Sequence, residues 1–260
     1  MKKISIITIC LVLFNKFIYT QTYNAICGNG DETSIILNYD STMAVETFSR
    51  ETGEESHKTF STTKSEKHGI SFLTIGNKQY LCLKCDELFY LYEDNGRPFF
   101  AGTKFSYMES EFIKKVTGIK SSSHLSEGKI VYSSEDLSDA IGKPWVEGAE
   151  KNGIGEWIKF NVNPRQEIYI SIGFVDYYRP NLYLANSRPK TIMLYFNDVA
   201  YKEIDLLDTP DFQKIIIPKT VKENSELKIE ILDVYPGIKY EDTCINMILC
   251  NEIPYYKTLK

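Results

Sequence analysis

No cluster of lysine or arginine occurs in this 260-residue sequence, and its formal charge is −5. That excludes the basic footprint of a nucleic-acid binder and of a protein held on anionic lipid. Histidine is scarce, with three residues, and His57 and His68 fall in polar surroundings that read as solvated surface. Cys82-x-x-Cys85 is followed by no second Cys-x-x-Cys or Cys/His pair, so half of a four-ligand zinc site is missing. No stretch reads as a long helix; residues 110–116 offer one or two turns.

The N-terminus carries a basic start, Met1-Lys-Lys3, and an apolar run from Ile4 to Phe14. That run is shorter than the ~20 residues a membrane-spanning helix needs, and the pattern is that of a secretory signal peptide over residues 1–20. Its removal takes away Lys2, Lys3 and Lys16 and no acid, moving the charge from −5 to −8. The expectation is a secreted, periplasmic or cell-surface protein whose mature chain does not insert into a membrane. Export permits disulfides. Five cysteines remain after residue 20, at 27, 82, 85, 244 and 250, an odd number. Cys244 and Cys250 share what reads as one strand, which separates them by roughly 20 Å at about 3.3 Å per residue, too far for a disulfide. Cys82 and Cys85 point to opposite faces of a strand, so at most one of them is placed to meet Cys27.

Composition is globular, 43% hydrophobic and 25% charged, and 18 tyrosines with recurring Ile-rich runs lean towards strands. The sequence predicts an all-β chain in two parts. Residues 21–108 form a small β module of about four strands. Ile70 to Ile75 and Gln79 to Lys84 flank a Gly76-Asn77 turn as a hairpin, and Phe89-Tyr-Leu-Tyr92 is core. Residues 40–69 are Ser-, Thr-, Glu- and Lys-rich without apolar periodicity, and read as a long loop or a polar hairpin.

From residue 109 onward the alternation is regular. Ile168, Ile170 and Ile172 repeat at every second position, as do Ile192 and Leu194, Ile215 and Ile217, and Leu227, Ile229 and Ile231. Half-buried strands broken by Pro, Asn and Gly signals predict an antiparallel sandwich of seven or eight strands, of the jelly-roll type. Both tryptophans lie on one Gly-rich stretch, Lys143 to Trp157. Its indoles are core anchors, a binding platform, or both.

Across this half, Trp145-Val-Glu-Gly148, Gly153-Ile-Gly-Glu-Trp157, Asn186-Ser-Arg-Pro-Lys190, Leu206-Leu-Asp208 and Asp242-Thr-Cys-Ile245 stand in order. Over about residues 115–252 the series resembles the NADase-type translocation or glycan-binding domain. This discoidin-like member of the coagulation factor type C superfamily is found in secreted bacterial proteins. The resemblance implies a galactose-binding-like jelly roll that recognises a glycan or docks on a target; it does not imply NAD hydrolysis, which belongs to a separate domain. It points to Trp145, Glu147, Glu156, Trp157, Asn186 and Arg188 as ligand-binding residues, and the tyrosine-rich loop from Tyr177 to Tyr183 adds Tyr177 and Tyr178 as aromatics at the end of the sandwich. Each has a structural alternative. The tryptophans serve a sugar face or the core. The glutamates accept sugar hydroxyls or the N–H groups of their own turns. Arg188 forks onto a ligand or forms an internal ion pair. The tyrosines, Tyr183 included, bind or pack. Asp208, Lys239 and Asp242 are supports between loops. The resemblance also implies a structural calcium on Asp136 and Asp139, although Met247 stands where the family usually has Glu. No other cofactor is expected.

The expected function is non-catalytic binding of a glycan or cell-envelope carbohydrate, the alternative being protein docking or a toxin-translocation accessory role. A glycosidase using Glu147 and Glu156 is disfavoured, because such carboxylates need separate rigid elements in a deep cleft.

Overall fold

The computed structural model describes residues 21–26, 31–38, 40–104, 113–137 and 140–251. The expected signal segment 1–20, Cys27 and Asp139 lie outside the described residues, as does the side chain of Asp136. Among the described residues no helix is long and apolar enough to cross a membrane.

Among the described residues the first part holds eight strands rather than four. They are β1 (Gln21–Ile26), β2 (Glu32–Leu37), β3 (Thr42–Phe48), β4 (Glu55–Lys67), β5 (Ile70–Ile75), β6 (Lys78–Lys84), β7 (Leu88–Tyr92) and β8 (Pro98–Thr103). Each runs antiparallel to the next, and Asn24 opposite Thr103 closes the barrel. The Gly76-Asn77 hairpin forms, with Ile75 opposite Lys78 and Gly76 at φ +59. Residues 40–69 are the polar hairpin. Its second strand, β4, escapes a periodicity search because one face meets water and the other carries Lys58, Thr62, Lys64 and Glu66 opposite inward positions of its neighbours. Tyr23, Ile35, Met43, Leu73, Leu91 and Phe100 fill the barrel's waist.

The second part is an antiparallel jelly-roll sandwich. Its strands are β9 (Ile113–Lys115), β10 (Lys120–Ser121), β11 (Ser126–Glu127), β12 (Ile130–Val131), β13 (Trp145–Val146), β14 (Trp157–Val162), β15 (Glu167–Ile172), β16 (Arg188–Phe196), β17 (Val199–Asp205), β18 (Gln213–Ile216), β19 (Ser225–Tyr235) and β20 (Cys244–Asn251). One sheet runs β10-β14-β19-β16-β17; the other runs β13-β20-β15-β18, with β9 on β20. Residues 113–115 are thus strand, not helix, because β20 offers them an edge to pair with. The alternating residues meet between the sheets: Ile168, Ile170, Ile172, Ile192, Leu194, Ile215, Leu227, Ile229 and Ile231 are all buried in one core with Trp145.

A third cluster joins the two parts. Ile70, Phe72, Leu81, Leu83, Leu88, Tyr90 and Tyr92, on the outside of β5–β7, pack on Ile141, Tyr169, Val175, Tyr183, Phe212, Met247 and Leu249 of the sandwich. This is why β7 is buried on both faces, and why Met247 suits its place: it is fully buried and accepts a hydrogen bond from Tyr92 Oη at 3.5 Å on its sulfur. A carboxylate there would be buried beside apolar neighbours. Cys82 and Cys85 do face opposite ways, Cys82 into the barrel and Cys85 towards this joint.

Candidate functional site

The residues singled out in the sequence fall at one end of the sandwich, and most are turned inward. Trp145 begins the short β13 beside β20, is fully buried, and donates its indole N–H to the Ser123 carbonyl at 2.9 Å. Glu147 is also fully buried. Its Oε1 accepts the Thr243 N–H at 3.1 Å and its Oε2 the Ala149 N–H at 2.6 Å. Burial raises its carboxyl above the ordinary range, although those two N–H bonds oppose the shift. Gly153, at φ +69, is a glycine because a Cβ there would stand 2.5 Å from the Glu147 side chain. Glu156 is half-buried and accepts the hydroxyls of Ser122 and Ser123. Those serines in turn take the Trp157 N–H (2.9 Å) and the Gly148 N–H (2.8 Å). Glu147 and Glu156 therefore brace three loops. With Glu147 sealed from solvent they do not form a carboxylate pair facing a cleft, which removes the glycosidase arrangement.

The second group behaves alike. Asn186 donates to the Leu182 carbonyl at 2.9 Å. Arg188 is 4% exposed; its Nε and Nη2 each reach Asp208 at 2.8 Å, and its Nη1 donates to the Asn186 carbonyl at 2.7 Å. Tyr183 lies under the guanidinium, 5.2 Å from ring centroid to Cζ, and donates to Asp208 at 3.0 Å. The tyrosine loop reaches the barrel instead of solvent: Tyr177 Oη donates to the Gln79 carbonyl and Tyr178 Oη to Asp94, each at 2.9 Å. Tyr178 still leaves 73% of its surface exposed. Trp145, Glu147, Asn186 and Arg188 thus have no surface to offer a ligand. Among the described residues no three His, Cys, Asp or Glu side chains are grouped to hold a metal ion.

Trp157 differs. It heads β14 with its side chain on the outer face of the first sheet, half-buried, with Lys159 Nζ 5.1 Å from its ring centroid. Across that face Trp157 stands opposite Glu230, which stands opposite Met193; Lys159 stands opposite Lys228, which stands opposite Tyr195. Lys228 Nζ lies 3.7 Å from the Tyr195 centroid and 2.7 Å from Glu230 Oε2. With strands about 4.8 Å apart, the indole and the phenol lie roughly 12 Å from each other on one face. Tyr195, Lys228 and Glu230 escaped the sequence reading. The available signal was an aromatic residue at an outward register position, between Leu194 and Phe196, where alternation calls for a polar one.

A family model described as the NAD glycohydrolase translocation F5/8 type C domain matches residues 107–251, over half of the chain. No curated protein matches. The matched sandwich is an accessory module of the docking kind, and the chain belongs to the NAD glycohydrolase translocation F5/8 type C domain family.

Proposed function

We propose that this is an exported, non-catalytic protein that holds a glycan or cell-envelope carbohydrate on the outer face of the β10-β14-β19-β16-β17 sheet. The observation that carries this reading is the placement of Trp157 and Tyr195 on one face, two strands apart, with the Lys228–Glu230 pair between them. Aromatic faces suit the apolar face of a sugar ring. An ammonium and a carboxylate supply donors and acceptors for its hydroxyls. The basic start and apolar run of residues 1–20 support export. The inward-turned residues at the sandwich end hold the loops, and the rings on the sheet meet the ligand.

Emission of the full chain, titrated with a glycan panel, tests this. Trp145 is sealed, so a sugar-induced change reports on Trp157. Trp157→Ala and Tyr195→Ala are each expected to weaken binding about tenfold, the scale of one contact above ~1 kcal/mol. Trp145→Phe should leave binding intact. A flat response to every sugar, with one protein recovered on the immobilised chain, would replace carbohydrate by a protein partner.

A further inference from the structure

The barrel is not filled along its whole length. β3 pairs with only the first half of β4, Thr42 opposite Ser61 being the last rung, while Thr62 to Lys67 pair with β5 alone. β3 begins at Thr42, so past Thr62 β4 runs beyond its end, and a cleft opens towards the Gln21 and Leu37 ends of β1 and β2. It continues into the barrel as a cavity of about 950 Å³. Its depth is limited by the waist, where Tyr23 stacks on Phe89 at 5.0 Å and Phe100 lies beside Phe89. An eight-stranded barrel is just wide enough to be packed by its own side chains or to hold one small ligand. Here the waist is packed and this end is open, with a volume near the upper end of the ~300–1,000 Å³ usual for small-molecule sites.

The lining is divided. Leu37, Leu73, Cys82 and Phe89 make an apolar floor. Burial pushes the Cys82 thiol up to about 12, so its sulfur stays neutral and acts as part of that apolar surface. The mouth is charged. Lys64 lies opposite Leu73, Lys84 opposite Phe89, and Glu66 opposite Ser71, so all three occupy inward positions of the barrel wall. Charged residues at inward positions of a small barrel are unusual. Among the described residues neither ammonium is held in an ion pair, whereas eight other lysine and arginine side chains are. Within the lining two ammoniums stand with one carboxylate over an apolar floor; the Asp211 carboxylate, outside the lining, accepts the Lys84 backbone N–H.

We propose that this end of the barrel binds a single-chain anionic amphiphile of the fatty-acid kind, with the acyl chain on Leu37, Leu73, Cys82 and Phe89 and the carboxylate between Lys64 and Lys84. The site is separate from the sheet face of the sandwich and does not depend on its reading.

Calorimetric titration of the full chain with dodecanoate, dodecanol and dodecylammonium tests it. Dodecanoate should bind one to one, at least tenfold more tightly than the ammonium. Leu73→Trp, which fills the floor, should abolish binding of dodecanoate and dodecanol alike. The double charge reversal Lys64→Glu/Lys84→Glu lies at the solvent-facing mouth and should keep the fold. It should weaken dodecanoate at least tenfold and leave dodecanol unchanged. Absence of binding up to millimolar dodecanoate overturns the proposal. So does equal affinity for the ammonium, or undiminished dodecanoate affinity in the charge reversal with an unchanged melting temperature.

Discussion

Severed between residues 104 and 113, neither half of the chain is expected to stay monomeric in solution. The joint is built like a core. Seven apolar side chains from β5–β7 meet seven from the sandwich, and Tyr92, Tyr169 and Met247 are fully buried there. At ~1.5–3 kcal/mol for each large side chain buried, the seven of one face represent roughly 10–20 kcal/mol, an upper estimate that is as large as the whole stability of an ordinary domain at ~5–15 kcal/mol. Polar contacts fix the register: Phe212 N–H donates to the Lys84 carbonyl, Asp211 accepts the Lys84 N–H, and Ile141 N–H donates to the Gly96 carbonyl, at 3.0, 3.0 and 2.9 Å. Interfaces between domains are usually more polar and allow relative motion; this one does not resemble them. Expressed alone, residues 113–260 should bind an apolar dye and elute as aggregate, and co-expression with residues 21–104 should restore a soluble complex. A monomeric sandwich fragment with an unchanged melting temperature would show that the joint contributes little.

The two halves were unequally legible for the same physical reason. In the sheet of β14, β16 and β19 one face lies in the core and the other is half-exposed, so Leu227–Ile231 announces itself by alternation; β15 is buried on both faces, and Ile168–Ile172 still alternates because Tyr169 and Ser171 separate its isoleucines. In the barrel that contrast fails in both directions. The Leu88–Tyr92 strand is apolar throughout because the joint covers its outside, and Glu55–Lys67 carries one apolar residue, Phe60, because its other inward positions line openings of the barrel. Neither pattern carries a period of two. The chemistry at the sandwich end was legible as residue types in order, but not as direction. Trp145, Glu147 and Arg188 lie where loops cross, and there an indole, a carboxylate or a guanidinium serves a loop network as readily as a ligand. What separates the two uses is whether every donor and acceptor already has an internal partner, and those partners, Ser123, Thr243 and Asp208, lie 20 to 96 residues away in the chain.

That accounting makes Asp208→Ala more damaging than Arg188→Met, although both break the same ion pair. Arg188 is almost wholly buried, whereas the Asp208 side chain keeps 35% of its surface exposed. Removing the carboxylate strands a guanidinium in the interior, a loss of ~3–5 kcal/mol for a buried pair, and also frees the Tyr183 hydroxyl. Removing the guanidinium leaves a carboxylate that water reaches, so its cost stays nearer ~1–3 kcal/mol, the range for unsatisfied acceptors at Asn186 and Tyr183. At ~2–4 °C per kcal/mol for a chain of this size, Asp208→Ala should lower the melting temperature by roughly 6–20 °C. The double variant Arg188→Met/Asp208→Ala should be more stable than Asp208→Ala alone, since no charge is then buried. The pH dependence follows the same pair. Burial by itself would raise the Asp208 carboxyl, but the hydrogen bonds and charge of Arg188 outweigh it and hold the group below the ordinary value of 3.8. The folded state then binds fewer protons than the unfolded one below that value. The pair's stabilisation is complete above the ordinary carboxylate range and lost as the pH falls through the depressed folded value. Wild type and Arg188→Met should accordingly converge in stability only in strong acid. An Asp208→Ala chain that melts above Arg188→Met at neutral pH would contradict this account of which partner is buried.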